Sequence, residues 1–211
     1  MTATLRARPV RQRRRPHQPR SEKRVEEILE QTARLLEQVG PDRLTTNLIA
    51  RRLGMSVGTL YHYFPNRHAV LYALGARWLE EWQHAFDEME RLSFNAVGIS
   101  DFVATAVDRM LLVYRKQHGV QHLVQSMFTI PELRVLDTRQ DAMAIARLTS
   151  MFQRLGIRAT ARERGRLARV YIKLINSLLP EVINQGGRQA ERTLADLKTL
   201  LVIALDREAA T

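Results

Sequence analysis

The segment 44–64, LTTNLIARRLGMSVGTLYHYF, contains two short helical patterns separated by a glycine. Three apolar residues fall on one side of the first pattern, whereas the second begins with small and polar residues and ends with aromatic ones. Two short helices joined by a tight turn that contains glycine form a helix-turn-helix. The segment therefore predicts helices over about 46–53 and 57–63, with Gly54 in a left-handed conformation at the corner.

The second of these helices carries small or hydrogen-bonding side chains where it begins. A helix that enters the major groove of DNA needs such side chains near its N-terminus, where base edges are close. Ser56 can cap the helix, and Gly58 lets the backbone approach a partner. The alternative is a helix pair that serves only packing. We favour DNA contact by Val57, Gly58, Thr59, Tyr61 and His62.

Positive charge is concentrated at the start of the chain. The 211 residues have a formal net charge of +11, and residues 1–24 hold nine basic residues against one acidic residue, which leaves +3 for the rest. Because this segment has three prolines and few apolar residues, we expect it to be disordered. Two roles stay open for it, a solubilising extension and an arm that neutralises phosphates.

The charges of residues 25–68 cancel, since five basic residues face five acidic ones. Phosphate binding by this region must then rely on where its arginines point, on hydroxyl groups, on backbone amides and on helix ends. The acidic residues lie mainly in the first helix, which we expect to face away from DNA.

The remaining sequence predicts an all-α protein. From Val25 onward, apolar residues recur with the helical period of 3.6, and glycine, proline and capping residues divide the pattern. No β-type alternation appears. Beyond the first helix, the pattern predicts further helices over about 66–91, 100–117, 120–128, 131–155, 161–184 and 189–207.

Composition bears on where the protein works. No run of 18 or more apolar residues exists, and the N-terminus lacks the apolar stretch of a signal peptide, so we expect neither a membrane span nor secretion. Cysteine is absent, which rules out disulfides and thiolate metal sites. These features together favour a cytoplasmic protein.

The last two predicted helices are apolar on more than one face. A helix with two apolar sides needs two burial partners, one of which can be a second chain. The alternative is a helix buried centrally in one subunit. We favour a dimer interface that contains Leu167, Tyr171, Leu174, Leu178, Val182, Leu194, Leu197, Leu201 and Ala204.

The middle helices carry apolar and aromatic residues that are candidates for a ligand pocket, although most such residues form ordinary core. They suggest an apolar or aromatic ligand. The candidates are Met110, Tyr114, Met127, Phe128, Met143, Phe152 and Tyr171. His118 and His122 stand four residues apart, but a third ligand is absent, so no metal site is predicted. No phosphate loop, nucleophile elbow or acid/base pair predicts an enzyme.

The run RVEEILEQTARLLEQVGPDRLTTNLIARRLGMSVGTLYHYFPNRHAVL resembles the N-terminal domain of the tetracycline-repressor (TetR) family of bacterial regulators. The resemblance covers roughly residues 22–82. It rests on Gly40, Thr45-Thr46, Ile49-Ala50, Gly54-Met55-Ser56, Gly58-Thr59-Leu60-Tyr61, Tyr63-Phe64 and Arg67.

This resemblance implies a homodimer that binds a palindromic operator, usually represses transcription, and is released by a small-molecule effector, without a cofactor. It implies a DNA-binding domain at 22–82 with its helix-turn-helix at 45–64, and a helical effector-binding and dimerisation domain at 83–211. Composition leaves a disordered basic arm at 1–21 before them. The long helix that starts near Asn66 would link the two domains, so that it could transmit a tilt between the effector-binding domain and the DNA-binding domain.

By position, the resemblance also assigns roles to single residues. Thr45 and Thr46 would contact phosphate, and Arg67 stands where the family often has a phosphate-binding lysine. DNA contacts in the second helix would come from Ser56, Thr59, Tyr61 and His62. Val57 departs from the Lys or Arg common in the family and can contact a thymine methyl group instead. A protein that packages nucleic acid non-specifically through its Arg-rich tail is the alternative.

Overall fold

The computed structural model of the protein describes residues 19–94, 96–119, 122–124, 126 and 130–209. These residues form α-helices and contain no strand, which confirms the predicted all-α class. No helix among them is both long enough and apolar enough to cross a membrane. The helices are α1 (Pro19–Arg43), α2 (Thr46–Arg52), α3 (Val57–Tyr63), α4 (Arg67–Glu90), α5 (Ile99–Lys116), α6 (Pro131–Arg154), α7 (Ala161–Asn184) and α8 (Gly187–Ala209).

Helix α1 begins six residues before its apolar stripe. Pro19 opens it, since proline lacks only an N–H that the first turn leaves unpaired, and Glu22 adds a negative charge near the positive end of the helix. Residues 19–24, which composition assigns to a disordered segment, are therefore helical, whereas residues 1–18 lie outside the described residues. The helix is interrupted at Gly40, whose φ of 74° is in the region that favours glycine.

The predicted short helix at 120–128 lies mostly outside the described residues. Residues 122–124 and 126 are helical. The bounds of the other predicted helices agree with the structure to within about two residues, the usual uncertainty of a helix end.

The chain divides into two compact units. Among the described residues, the first unit contains those up to Trp78 and those of the range Gln117–Asp137, and the second contains those of Leu79–Lys116 and those from Thr138 onward. Helix α4 contributes its first half to one unit and its second half to the other.

The core of the first unit gathers one face from each of its short helices. Ile49 of α2 and Leu60 of α3 are fully buried, as are Ile28 and Leu36 of α1. The buried hydroxyl of Thr32 donates to the carbonyl of Ile28 one turn earlier, so this polar group is satisfied within its own helix. The first unit thus presents the opposite faces of α2 and α3 to solvent.

The second unit is organised around aromatic side chains. The rings of Phe94, Phe102, Phe152 and Tyr171 follow one another with centroid distances of 5.9, 6.2 and 5.7 Å, within the range of favourable aromatic pairs. Helices α5, α7 and α8 are in mutual contact in this unit.

Arg147 ties α6 to α4 within the second unit. Its guanidinium donates to Asp87 at 2.6 Å and to Glu90 at 2.7 Å, and it lies 5.4 Å from the centre of the Phe86 ring. The hydrogen bond from Arg147 lowers the pKa of Asp87 below its usual value. The two carboxylates and the ring therefore hold one cation from three sides.

A tight approach to α1 occurs at Gly119, in the first unit. Gly119 has a φ of 67°, and a Cβ at this position would lie 2.5 Å from the carbonyl oxygen of Ala33 and 3.2 Å from the Cβ of Leu36. Beside it, His118 Nδ1 lies 2.7 Å from a carboxylate oxygen of Glu37. The turn after α5 thus rests on the backbone of α1 at a point where only glycine fits.

Gly119→Ala should lower the free energy of unfolding by about 3 kcal/mol, since the left-handed conformation costs about 1–2 kcal/mol and the clash with α1 adds to it. Gly54→Ala is the matched control, because Gly54 has a φ of 61° in the same unit, but a Cβ added to it would have no atom within 4 Å. Urea denaturation of both variants measures the difference, and equal losses would contradict the close approach.

Candidate nucleic-acid interface

Side-chain hydrogen bonds cap both α2 and α3 at their first turns. The hydroxyl of Thr45 accepts from the amide of Leu48 at 3.2 Å, and that of Ser56 accepts from the amide of Thr59 at 3.0 Å. Both residues are therefore N-caps, as the sequence predicts for Ser56. Gly54 takes the predicted positive φ, at 61°. The corner itself is closed by backbone bonds, in which the amide of Gly54 donates to the carbonyl of Arg51 at 3.2 Å and the amide of Met55 donates to that of Ala50 at 3.0 Å.

Outward from this corner lies a surface of hydroxyl groups. Ser56, Thr59, Tyr61 and His62 are exposed, and Val57 is half-buried. The hydroxyls of Ser56 and Thr59 are 2.9 Å apart, and those of Thr46 and Tyr61 are 3.2 Å apart. The structure thus brings the start of α2 and the middle of α3 together on one surface that can donate and accept hydrogen bonds.

Gly58 is exposed near the start of α3, and the fold does not require glycine there. A Cβ would meet only the hydroxyl oxygen of Ser56, at 3.7 Å, which is an ordinary contact. Because glycine in a helix costs roughly 0.5–1 kcal/mol relative to alanine, its presence at this position lowers helix stability.

Arg67, at the start of α4, is committed to the turn between α1 and α2. Its Nη1 donates to the carbonyl of Pro41 at 3.3 Å and to that of Leu44 at 3.2 Å, and the side chain is half-buried. Its predicted contact with phosphate would have to use the remaining N–H groups.

Three acidic residues of α1 pair with basic residues of the first unit. Glu26 and Glu30 both pair with Arg77 of α4, and Glu30 also pairs with Arg34 at 2.9 Å. Glu37 pairs with His118. These pairs are largely exposed and contribute little stability. They do neutralise the carboxylates of Glu26, Glu30 and Glu37, which follow the first turn of α1.

A further basic surface lies beside the end of α3. Arg20, Lys23, Arg24 and Glu27 of α1 are related by steps of three or four residues and share one face of that helix, a spacing that could have been recognised in the sequence. With Tyr63 of α3 they line a cavity of about 670 Å³. Its lining residues are Arg20, Ser21, Lys23, Arg24, Glu27 and Tyr63.

The candidate ligand-pocket residues are placed differently from one another. Met110, Tyr114, Phe152 and Tyr171 are buried in the second unit, whereas the side chain of Met143 is 43% exposed. Met127 and Phe128 lie outside the described residues. The hydroxyl of Tyr171 is buried without a hydrogen-bond partner among the described residues, and burial raises the pKa of this phenol.

The candidate dimer residues divide into two groups. Five of them, Leu167, Tyr171, Val182, Leu197 and Leu201, are buried by the single chain and have no free surface for a second one. The other four, Leu174, Leu178, Leu194 and Ala204, are half-buried. The exposed apolar residues of α7 and α8 are instead Val170, Leu200 and Ile203.

The described residues contain no group of three or more His, Asp or Glu side chains that could hold a metal ion. His118, one of the two histidines considered above, pairs with Glu37.

Comparison with known proteins gives a family for both parts of the chain. The model of bacterial regulatory proteins of the tetR family matches residues 28–74, and the model of a tetracyclin repressor-like C-terminal domain matches residues 99–203. No curated protein matches the sequence.

Several solved structures share the fold. A TetR-family transcriptional regulator from Streptomyces coelicolor is 22% identical, with a TM-score of 0.60 over 88% of this chain and 99% of that one. A TetR transcription regulator from Haloarcula marismortui is 15% identical, with a TM-score of 0.71 over 89% and 98% of the two chains. AibR, solved in complex with isovaleryl coenzyme A and operator DNA, is 16% identical, with a TM-score of 0.64 over 85% and 98%.

The two family models cover both the helix-turn-helix and most of the second unit, and the solved structures extend the likeness over nearly the whole chain. The chain therefore belongs to the TetR family of bacterial transcriptional regulators.

Proposed function

We propose that the protein is a homodimeric repressor that binds a palindromic operator through α3 and is released by a small apolar or aromatic effector. The observation that carries the DNA-binding part is the exposed hydroxyl surface of Ser56, Thr59 and Tyr61, held in place by the Ser56 cap of α3 and by hydroxyl–hydroxyl contacts. Hydroxyl and phenol groups bond to base edges and phosphates, and Val57 offers a methyl contact for thymine.

Gly58 supports this proposal because the fold gives no reason for it. A side chain at the start of α3 would fit in the free protein, yet the position keeps a residue that weakens the helix. A closely approaching duplex explains the absence of a side chain, since only glycine lets the helix backbone come near the base edges.

Gly58→Ala should leave the protein as stable as wild type or stabilise it by up to about 1 kcal/mol, while weakening operator binding at least about tenfold. Gly165→Ala on α7 is the control, since it removes a helical glycine whose added Cβ would meet only Thr149 Oγ1 at 3.9 Å. Thermal unfolding and a fluorescence anisotropy titration on an operator duplex report both effects. Unchanged operator affinity of the Gly58 variant would refute this placement of DNA.

The same measurement separates the proposal from non-specific packaging, which the basic residues of segment 1–24 favour. A packaging protein binds by phosphate neutralisation and should be indifferent both to sequence and to Gly58.

The dimer part of the proposal rests on α7 and α8. Val170, Leu200 and Ile203 are 39%, 50% and 60% exposed, and the half-buried Leu174 and Leu178 follow Val170 at helical spacing. Two copies of α3 in a dimer would need to match half-sites about 34–36 Å apart, one helical turn of DNA, or a multiple of that.

Ile203→Glu should convert the dimer to a monomer, because a carboxylate placed in an apolar interface loses its hydration without gaining a partner. Leu112→Glu is the matched control, since Leu112 is 54% exposed on α5 and outside the proposed interface. Analytical ultracentrifugation gives the mass of each variant. A monomeric wild type, or an Ile203 variant that stays dimeric, would exclude this interface.

The effector part of the proposal rests on the aromatic interior of the second unit. Tyr171 places a buried hydroxyl, unpaired among the described residues, beside the ring of Phe152. A buried polar group without a partner lowers stability, so a ligand that bonds to this hydroxyl would recover the loss. A ligand acts on DNA binding only by its different affinity for the two states.

Tyr171→Phe should therefore keep the stability of wild type or raise it by about 1 kcal/mol. It should also respond about two- to tenfold more weakly to aromatic effectors that carry a hydrogen-bonding group, with no change for apolar ones. Urea denaturation and isothermal titration with a compound panel, in the presence and absence of operator, test both points. If no compound alters operator affinity, release by an effector is refuted.

A further inference from the structure

The groove beside the end of α3 gathers cations from α1 and a phenol from α3. Arg20, Lys23 and Arg24 line it, and Tyr63, the last residue of α3, forms its other side. Against these three cations stands one carboxylate, Glu27, which is 2.5 Å from Arg24. Arg20 and Lys23 have no ion-pair partner among the described residues, so the groove keeps a net positive charge.

Helix α1 separates its charges by face. The groove residues are spaced three or four apart, which puts them on one side of the helix. Glu22, Glu26 and Glu30 are spaced four apart in an adjacent row, where the last two pair with Arg77. The zero net charge of residues 25–68 therefore hides a basic face at the start of the helix.

The groove adjoins the surface proposed to contact bases. Tyr63 follows Val57 by six residues of α3, a distance of about 9 Å along the helix axis. Successive phosphates on one DNA strand are about 3.4 Å apart along the duplex axis. A strand whose bases meet the start of α3 is therefore only a few phosphates away from the groove.

We propose that Arg20, Lys23, Arg24 and Tyr63 form a second DNA contact, which holds backbone phosphates that flank the half-site contacted by α3. Several cations along one helix face suit the repeated negative charges of a phosphate backbone. This inference rests on the proposed DNA contact of α3 and adds a contact that carries no sequence information. The segment before α1 contains six further arginines, so the groove continues a basic stretch of sequence.

The first test removes the cations. The triple variant Arg20→Ala/Lys23→Ala/Arg24→Ala of the full chain is compared with Arg139→Ala/Arg188→Ala/Arg192→Ala, which removes the same charge from exposed sites on α6 and α8. The probe is an operator duplex selected from random DNA by the wild-type protein. One version ends at the half-sites, and another extends about one helical turn beyond each.

On the extended duplex the groove variant should bind at least about tenfold more weakly than wild type, with the same preferred sequence. Each lost phosphate contact makes the slope of log K against log salt concentration less negative by about 0.9. The six cations of a dimer would therefore change the slope by about 5. On the trimmed duplex it should resemble wild type, and the control should resemble wild type on both.

The second test adds positive charge instead. Glu27→Gln removes the only carboxylate of the groove lining and frees Arg24, so it should bind the extended duplex more tightly and with a steeper salt dependence. Glu22→Gln removes the same charge from another face of α1 and should not. This pair keeps the proposal testable if the triple variant folds poorly.

Wild-type affinity and salt dependence of both groove variants on the extended duplex would overturn the proposal, as would an equal loss on extended and trimmed DNA. A wild-type protein without a preferred sequence would refute the contact of α3 with bases. The proposed phosphate contact of the groove would then still be tested on a duplex of random sequence. The triple groove variant should lose more affinity for that duplex than the triple control variant of equal charge, and an equal loss would overturn the contact.

Discussion

The surface that we propose for DNA contact depends on the burial of two helices that are too short to be stable alone. Helices below about 12 residues are marginal in water, and α2 and α3 have seven residues each. Ile49, Leu60 and Phe64 are fully buried and supply the apolar contacts that keep these helices folded. Because one face must point into the core, the opposite face, with Ser56 and Thr59, is left to solvent. Packing therefore determines which hydroxyls can meet DNA.

Helix α1 serves three purposes with three faces. One face supplies buried Ile28 and Leu36 to the core, a second pairs Glu26 and Glu30 with Arg77, and a third lines the basic groove. Charges of opposite sign on different sides of a helix do not fully cancel for a partner that touches only one side, because salt weakens the effect of the more distant charges over a Debye length of about 10 Å. The direction of each side chain therefore matters more than the net charge of the domain.

Features that arise within a few residues could be predicted from the sequence. The cap at Ser56, the positive φ of Gly54 and the helical period follow from local chemistry, and the structure has all three. Features that depend on which segments meet could not. The bonds of Arg67 to Pro41 and Leu44, and the approach of Gly119 to Ala33, join residues far apart in the chain. The helical start of α1, residues 19–24, could not be predicted for another reason. These residues are polar, so they show no apolar periodicity that would indicate a helix.

The apolar pattern of α7 and α8 shows the same limit. Two-sided hydrophobicity indicates two partners but not which side meets which, and five of the nine candidate interface residues are buried by the chain itself. The surface that remains mixes Val170 with cations that already have partners: Arg166 with Glu163 and Glu208, and Lys173 with Asp141. Burying an unpaired charge is far more costly than burying a paired one. A second chain could therefore cover these two cations without stranding their charges, and its binding energy would come from the apolar side chains beside them.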